Sequence, residues 1–115
     1  MKESYLLMPR AHRFGDIGTG HGCWPPRNNN GGSSTVFVNG IGWHRVTDGW
    51  PSHCCPGDPP ACHPGNLAEG SPTVYADNLA VGRVGDPVTC GSKAFGASPD
   101  VYADGAGPPG GGQTI

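Results

Sequence analysis

Histidine and cysteine are scarce in this chain, five of each, and their positions follow a pattern. His21 lies five residues after Asp16, His53 five after Asp48, and Cys90 four after Asp86. Each of those aspartates closes an Arg-x-x-Asp unit: Arg13-Phe14-Gly15-Asp16, Arg45-Val46-Thr47-Asp48 and Arg83-Val84-Gly85-Asp86. One nitrogen or sulfur donor therefore recurs at one phase of a repeat. A tetrahedral metal site takes four donors, and zinc is content with a mixture of imidazole and thiolate. The longest segment between units, 49–69, supplies a fourth candidate in His63. The expected ligands are His21, His53, His63 and Cys90, around a structural zinc with iron as the alternative. No CxxC pair and no HExxH helix is present, so the argument rests on the shared phase.

Other readings of these residues compete. Cys23, Cys54, Cys55 and Cys62 crowd the same part of the chain. Any of them could replace a histidine, and Cys54 or Cys55 could pair with Cys62 in a disulfide after export. In the plainest alternative no metal binds and the residues fill a polar loop. His12 and His44 directly precede Arg13 and Arg45, away from the ligand phase, and are expected on a strand face or against a partner. A small zinc-dependent hydrolase would need a cleft, a positioned base and an open coordination position, whereas four protein ligands close the sphere. The aspartates are better explained as turn caps, each paired with its local arginine. The chain is expected not to be an enzyme.

The elements that must position these residues also repeat. Ser33-Ser34-Thr35-Val36-Phe37-Val38-Asn39-Gly40, Ser71-Pro72-Thr73-Val74-Tyr75-Ala76-Asp77-Asn78 and Ser98-Pro99-Asp100-Val101-Tyr102-Ala103-Asp104-Gly105 share one pattern. Each reads as a short strand entering an Asn/Asp turn. The chain opens on an Arg-x-x-Asp unit and closes on a strand unit, so joining the two would complete a third hairpin. Pseudo-threefold symmetry follows. The fold class expected is all-β: a small cone or prism of strands four to six residues long, without helix, since prolines interrupt every helical window. Phe37, Tyr75 and Tyr102 share one phase and are expected to pack, in the core or at an interface.

Length and composition set the limits. The 115 residues suit one domain, and 21 glycines with 13 prolines would signal disorder in an aperiodic chain. With 35% apolar residues the core is small, so a metal, disulfides or a partner must add stability. A formal net charge of −2 gives no case for nucleic acid or for an anionic membrane surface. The apolar run Tyr5-Leu6-Leu7-Met8 is too short for a signal-peptide core or a membrane span. Synthesis in a reducing cytoplasm is expected.

Gly20-His21-Gly22, the stretch from Gly70-Ser71-Pro72-Thr73-Val74-Tyr75 to Val88-Thr89-Cys90-Gly91, and the closing Ser98–Gly105 unit together resemble the PAAR-repeat proteins. The likeness covers roughly residues 9–107. It implies a conical domain with zinc near its apex, held by three histidines and a cysteine; His21, His53 and Cys90 fall at ligand positions, and His63 looks like the remaining histidine. It also implies a function: a monomeric tip capping the blunt end of a trimeric β-helical or β-prism spike in a contractile injection machine. Transient contact with the target membrane follows. A phage tail baseplate is the expected location, with a type VI secretion adaptor carrying effector cargo as the alternative. Residues 1–8 are expected to lie against the spike, and 108–115 to form a Gly/Pro-rich tail. The tetrapeptide that names the family reads Arg10-Ala11-His12-Arg13, Gly42-Trp43-His44-Arg45 and Ala80-Val81-Gly82-Arg83 here, so only the arginine is kept. Thr47 also stands where the pattern has glycine.

Overall fold

A computed structural model of the chain describes residues 9–103. The expected spike-contact segment 1–8, the tail 108–115 and the Asp104-Gly105 turn lie outside the described residues. Within them the structure is all-β, with eight strands and no helix. β3 (Phe37–Val38) and β4 (Ile41–Gly42) form one antiparallel hairpin, and β7 (Tyr75–Ala76) and β8 (Leu79–Ala80) form its counterpart. Their turn residues all lie at positive φ, Asn39 at 55° and Gly40 at 78°, Asp77 at 56° and Asn78 at 69°. That is the turn whose twist matches two joined strands. Before each hairpin a serine hydroxyl accepts the backbone N–H three residues on, from Val36 to Ser33 and from Val74 to Ser71, both at 2.8 Å.

The third hairpin is assembled from the two ends of the described chain. Arg10 bridges Tyr102, Ala11 N–H donates to the Val101 carbonyl and Ala103 N–H to that of Pro9. The three repeats then close on one another. Arg13 pairs with Trp43, Arg45 with Val81, and Ala11 with Arg83, so each repeat bridges the next and the last returns to the first. At the centre the backbone makes a ring: Gly82 N–H donates to the His44 carbonyl (2.7 Å), His44 N–H to that of His12 (3.1 Å), and His12 N–H to that of Gly82 (3.0 Å). Pseudo-threefold closure, inferred from the order of repeat units, is present as a hydrogen-bond cycle.

Strands of four to six residues were expected, yet most are two residues long. The reason is geometric: a strand in this prism leaves its hairpin partner after two residues to pair with the neighbouring repeat. The exceptions are β5 (Gly49–Cys55) and β6 (Ala61–Asn66), an antiparallel hairpin that replaces the expected loop. The remaining pair is β1 (Ile17–Gly18) with β2 (Arg27–Asn28).

Two small apolar clusters hold the interior. Ala11, Val38, Trp43, Ala76, Val81 and Ala103 form one around the three hairpins; Trp50, Leu67, Val88 and Ala94 form the other beside β5 and β6. His12 and His44 correct the expectation of a strand face or partner contact, since both are fully buried. Each donates Nδ1–H to a backbone carbonyl, His12 to Gly96 (2.6 Å) and His44 to Gly31 (2.8 Å), and both rings pack on Trp50. At the third equivalent position Gly82 leaves no room for a side chain, because a Cβ there would sit 2.8 Å from Leu67 Cδ2. Phe37 and Tyr75, expected in the core or at an interface, are more than half exposed, and Tyr102 is exposed too, so none of the three belongs to the core. In a two-residue strand Val38 and Ala76 take the inward position and the preceding aromatic must face out.

Candidate metal centre

Each repeat delivers its ligand from a fixed turn. In every Arg-x-x-Asp unit the arginine N–H and Nε–H both donate to one carboxylate oxygen while a terminal NH2 reaches the other, as in Arg45–Asp48 at 3.0, 2.8 and 3.1 Å. The backbone closes the same turn, with Asp16 N–H on the Arg13 carbonyl, Asp48 on Arg45 and Asp86 on Arg83. The chain therefore leaves all three units in the same direction. The Arg83–Asp86 pair is buried, at 2% and 7% side-chain exposure, whereas the Arg13 and Arg45 pairs stay near 15%. Burial raises the Asp86 pKa, with Arg83 opposing it.

His21, His53, His63 and Cys90 come together, one donor atom of each lying within 4.8 Å of the others. His53 and His63 are direct cross-strand partners in the β5–β6 hairpin. Their Nε2 atoms are 2.9 Å apart, and His21 Nε2 lies 3.2 Å from that of His53 and 3.0 Å from that of His63. Cys90 Sγ is 3.8 Å from His53 Nε2. A tetrahedral zinc with Zn–N of about 2.0–2.1 Å and Zn–S of about 2.3 Å separates its donors by roughly 3.3–3.6 Å. The three imidazole separations and the Cys90–His53 distance come within about half an ångström of that figure, and the whole set lies within 4.8 Å.

The donor chemistry fits a cation as well. His53 Nδ1–H donates to the Pro25 carbonyl at 2.8 Å, so in the neutral ring Nε2 carries a lone pair. Burial, with His53 and His63 alongside, lowers the His21 pKa. Three imidazole nitrogens about 3 Å apart, with at least one lone pair aimed inward, make a donor set that a cation would satisfy. Space for Cys90 is also reserved: a Cβ on Gly65 would lie 3.0 Å from its sulfur.

The four other cysteines lie outside this cluster, in disulfides. Cys23 is bonded to Cys55 and Cys54 to Cys62, leaving Cys90 as the free thiol among the described residues. The Cys54–Cys62 pairing was among the expected options; Cys23–Cys55 was not, because its 32-residue separation leaves no local trace. Sequence reasoning also missed Trp24, whose indole stacks on His21 and lies tilted against His63, with ring centroids 5.0 and 4.9 Å apart. The available signal was its place three residues after His21, between Cys23 and a Pro-Pro pair.

Residues 11–95 match the family model of the PAAR motif, which spans most of the chain. No curated protein matches it.

Proposed function

The chain belongs to the PAAR motif family, and on that premise we propose that it caps and sharpens the trimeric central spike of a contractile injection machine. The family is one of spike-tip proteins, structural rather than enzymatic. The observation that carries the reading is the closed cycle through His12, His44 and Gly82. It gives a single chain three equivalent faces, which is what a monomer needs to seat on a threefold-symmetric end. Docking would also cover the strand edges that the three hairpins expose. Residues 9–107 would form the tip domain, with 1–8 against the spike.

The cap predicts one tip chain for every three spike chains. Native mass spectrometry of the co-expressed pair reads this directly, and failure to bind, or a three-to-three complex, would sink it. The proposed machine is a phage tail baseplate, tested by looking for the chain in purified virions; recovery only with a secreted spike complex would assign a type VI system instead.

In the proposed site His21, His53, His63 and Cys90 hold one structural zinc, which ties the three repeats together at one end. A sphere filled by four protein donors leaves no position for a substrate, which argues for a structural rather than a catalytic metal. Elemental analysis of the purified protein should find about one equivalent of zinc per chain, the number one such tetrahedral site takes. A folded wild type free of metal would remove the zinc.

A further inference from the structure

Segment 20–26 does more than deliver His21. Trp24 N–H donates to the His21 carbonyl and His21 N–H to that of Trp24, at 2.8 and 2.9 Å, so the segment folds into a tight turn through Gly22 and Cys23. The turn brings the indole over the histidine cluster, nearly parallel to His21 (23°) and tilted by 40° to His63. Trp24 Nε1–H then donates to the Ala61 carbonyl of β6 at 2.8 Å, and the Cys23–Cys55 disulfide ties the same turn to the end of β5. Two anchors therefore hold one aromatic plate across the imidazoles. Side chains alternate along β5, which puts Cys55 on the face of His53 and puts the Cys54–Cys62 bridge on the opposite face. Only one of the two disulfides borders the metal cluster.

The geometry points to Trp24 as a lid over the metal centre, latched shut by oxidation of Cys23 and Cys55. This rests on the zinc reading above. An indole face over metal-bound, positively polarised imidazoles is attractive and excludes water and competing ligands. In the reduced chain only the Ala61 hydrogen bond and the turn hold the lid, so metal enters and leaves. On oxidation the two thiols give up two protons and two electrons to an external disulfide of the glutathione class, which departs as two thiols, and the lid is fixed. The order of events is loading in a reducing compartment and trapping in an oxidising one. Trp24 is a positioning residue, and its effect is on exchange rate.

The test is zinc transfer from the full oxidised chain to excess chromogenic chelator, with the cobalt-substituted protein checked for a tetrahedral absorption band. Trp24→Ala should release zinc about tenfold faster with the band unchanged, and Trp24→Phe should recover most of the delay because the ring alone supplies the cover. A phosphine reductant should accelerate release from wild type but not from the Cys23→Ser/Cys55→Ser double variant, which is already fast. Cys54→Ser/Cys62→Ser should stay slow until reduced. Wild-type rates in Trp24→Ala, or in Cys23→Ser/Cys55→Ser, overturn the lid while leaving the metal reading intact. A wild type that binds no metal ends both.

Discussion

The hairpin end of the molecule, around Ala11, Val38, Trp43, Ala76, Val81 and Ala103, is closed by backbone hydrogen bonds and by small apolar side chains packed around Trp43. At the other end β5 and β6 carry exposed Pro51, Ser52, Ala61 and Cys62, and the apolar cluster beside them has four buried residues. There two disulfides and the convergent histidines lie in place of packing. The contrast shows how a glycine-rich chain divides its stability. Where three repeats match, each backbone group finds a partner in its neighbour. Where one repeat grows an unmatched hairpin, covalent bonds, and the metal proposed for the histidine cluster, would hold what burial cannot.

The sharpest break of this comparison is His53→Ala. Losing the metal should cost about 4 kcal/mol or more at a thousandfold excess of zinc over its dissociation constant. Hydrogen exchange should show β5 and β6 losing protection while the amides of His12, His44 and Gly82 keep theirs. Equal loss at both ends would mean that the two regions fold as one unit.

Next comes the one buried ion pair of the three equivalent ones. Asp86→Asn removes the carboxylate contacts that Asp86 makes to the Arg83 guanidinium, 2% exposed, and should cost about 3 kcal/mol in denaturant unfolding. Asp16→Asn and Asp48→Asn, at partly exposed pairs, should each cost about 1 kcal/mol. Similar losses at all three would show that burial does not distinguish them.

Acid should attack the junction between the two ends. Burial lowers the His12 pKa to about 4 from 6.5, so the folded state binds fewer protons than the unfolded chain between those values. Stability is then complete above pH 6.5 and falls as pH drops towards 4, by about 3 kcal/mol from His12 alone. Burial lowers His44 as well, adding in the same direction. Unfolding of metal-free protein against pH should show the slope, and His12→Gln should reduce it by about one proton; an unchanged slope would remove His12 as its source.

The smallest effect is a gain. Thr47 sits at φ 80° where the equivalent Gly15 and Gly85 sit at 86° and 93°. A β-branched residue is strained there, so Thr47→Gly should stabilise by about 1 kcal/mol in thermal or denaturant unfolding. A loss would mean that the Thr47 side chain makes compensating contacts.

Repetition made much of this legible. Arg13, Arg45 and Arg83 with their aspartates, the Ser-x-x-Val turns, and the shared phase of His21, His53 and Cys90 are all local patterns counted along the chain. What did not repeat was read less well. His63 was found only by its position in the longest segment, and His12 and His44 were placed outside because a histidine before an arginine carries no mark of burial. The β5–β6 hairpin reads as a loop in the sequence because Pro51, Pro56, Pro59, Pro60 and Pro64 hide its alternation.

The sequence by itself determined the all-β class, the threefold count and the kinds of side chain that gather in the cluster, because those follow from short-range turn chemistry repeated at intervals. Only the tertiary structure decided that Cys23 reaches Cys55, that Trp24 covers the imidazoles, and that Phe37 and Tyr75 face outward. Those depend on how three repeats close around an axis, and closure fixes distances between residues that no local spacing encodes.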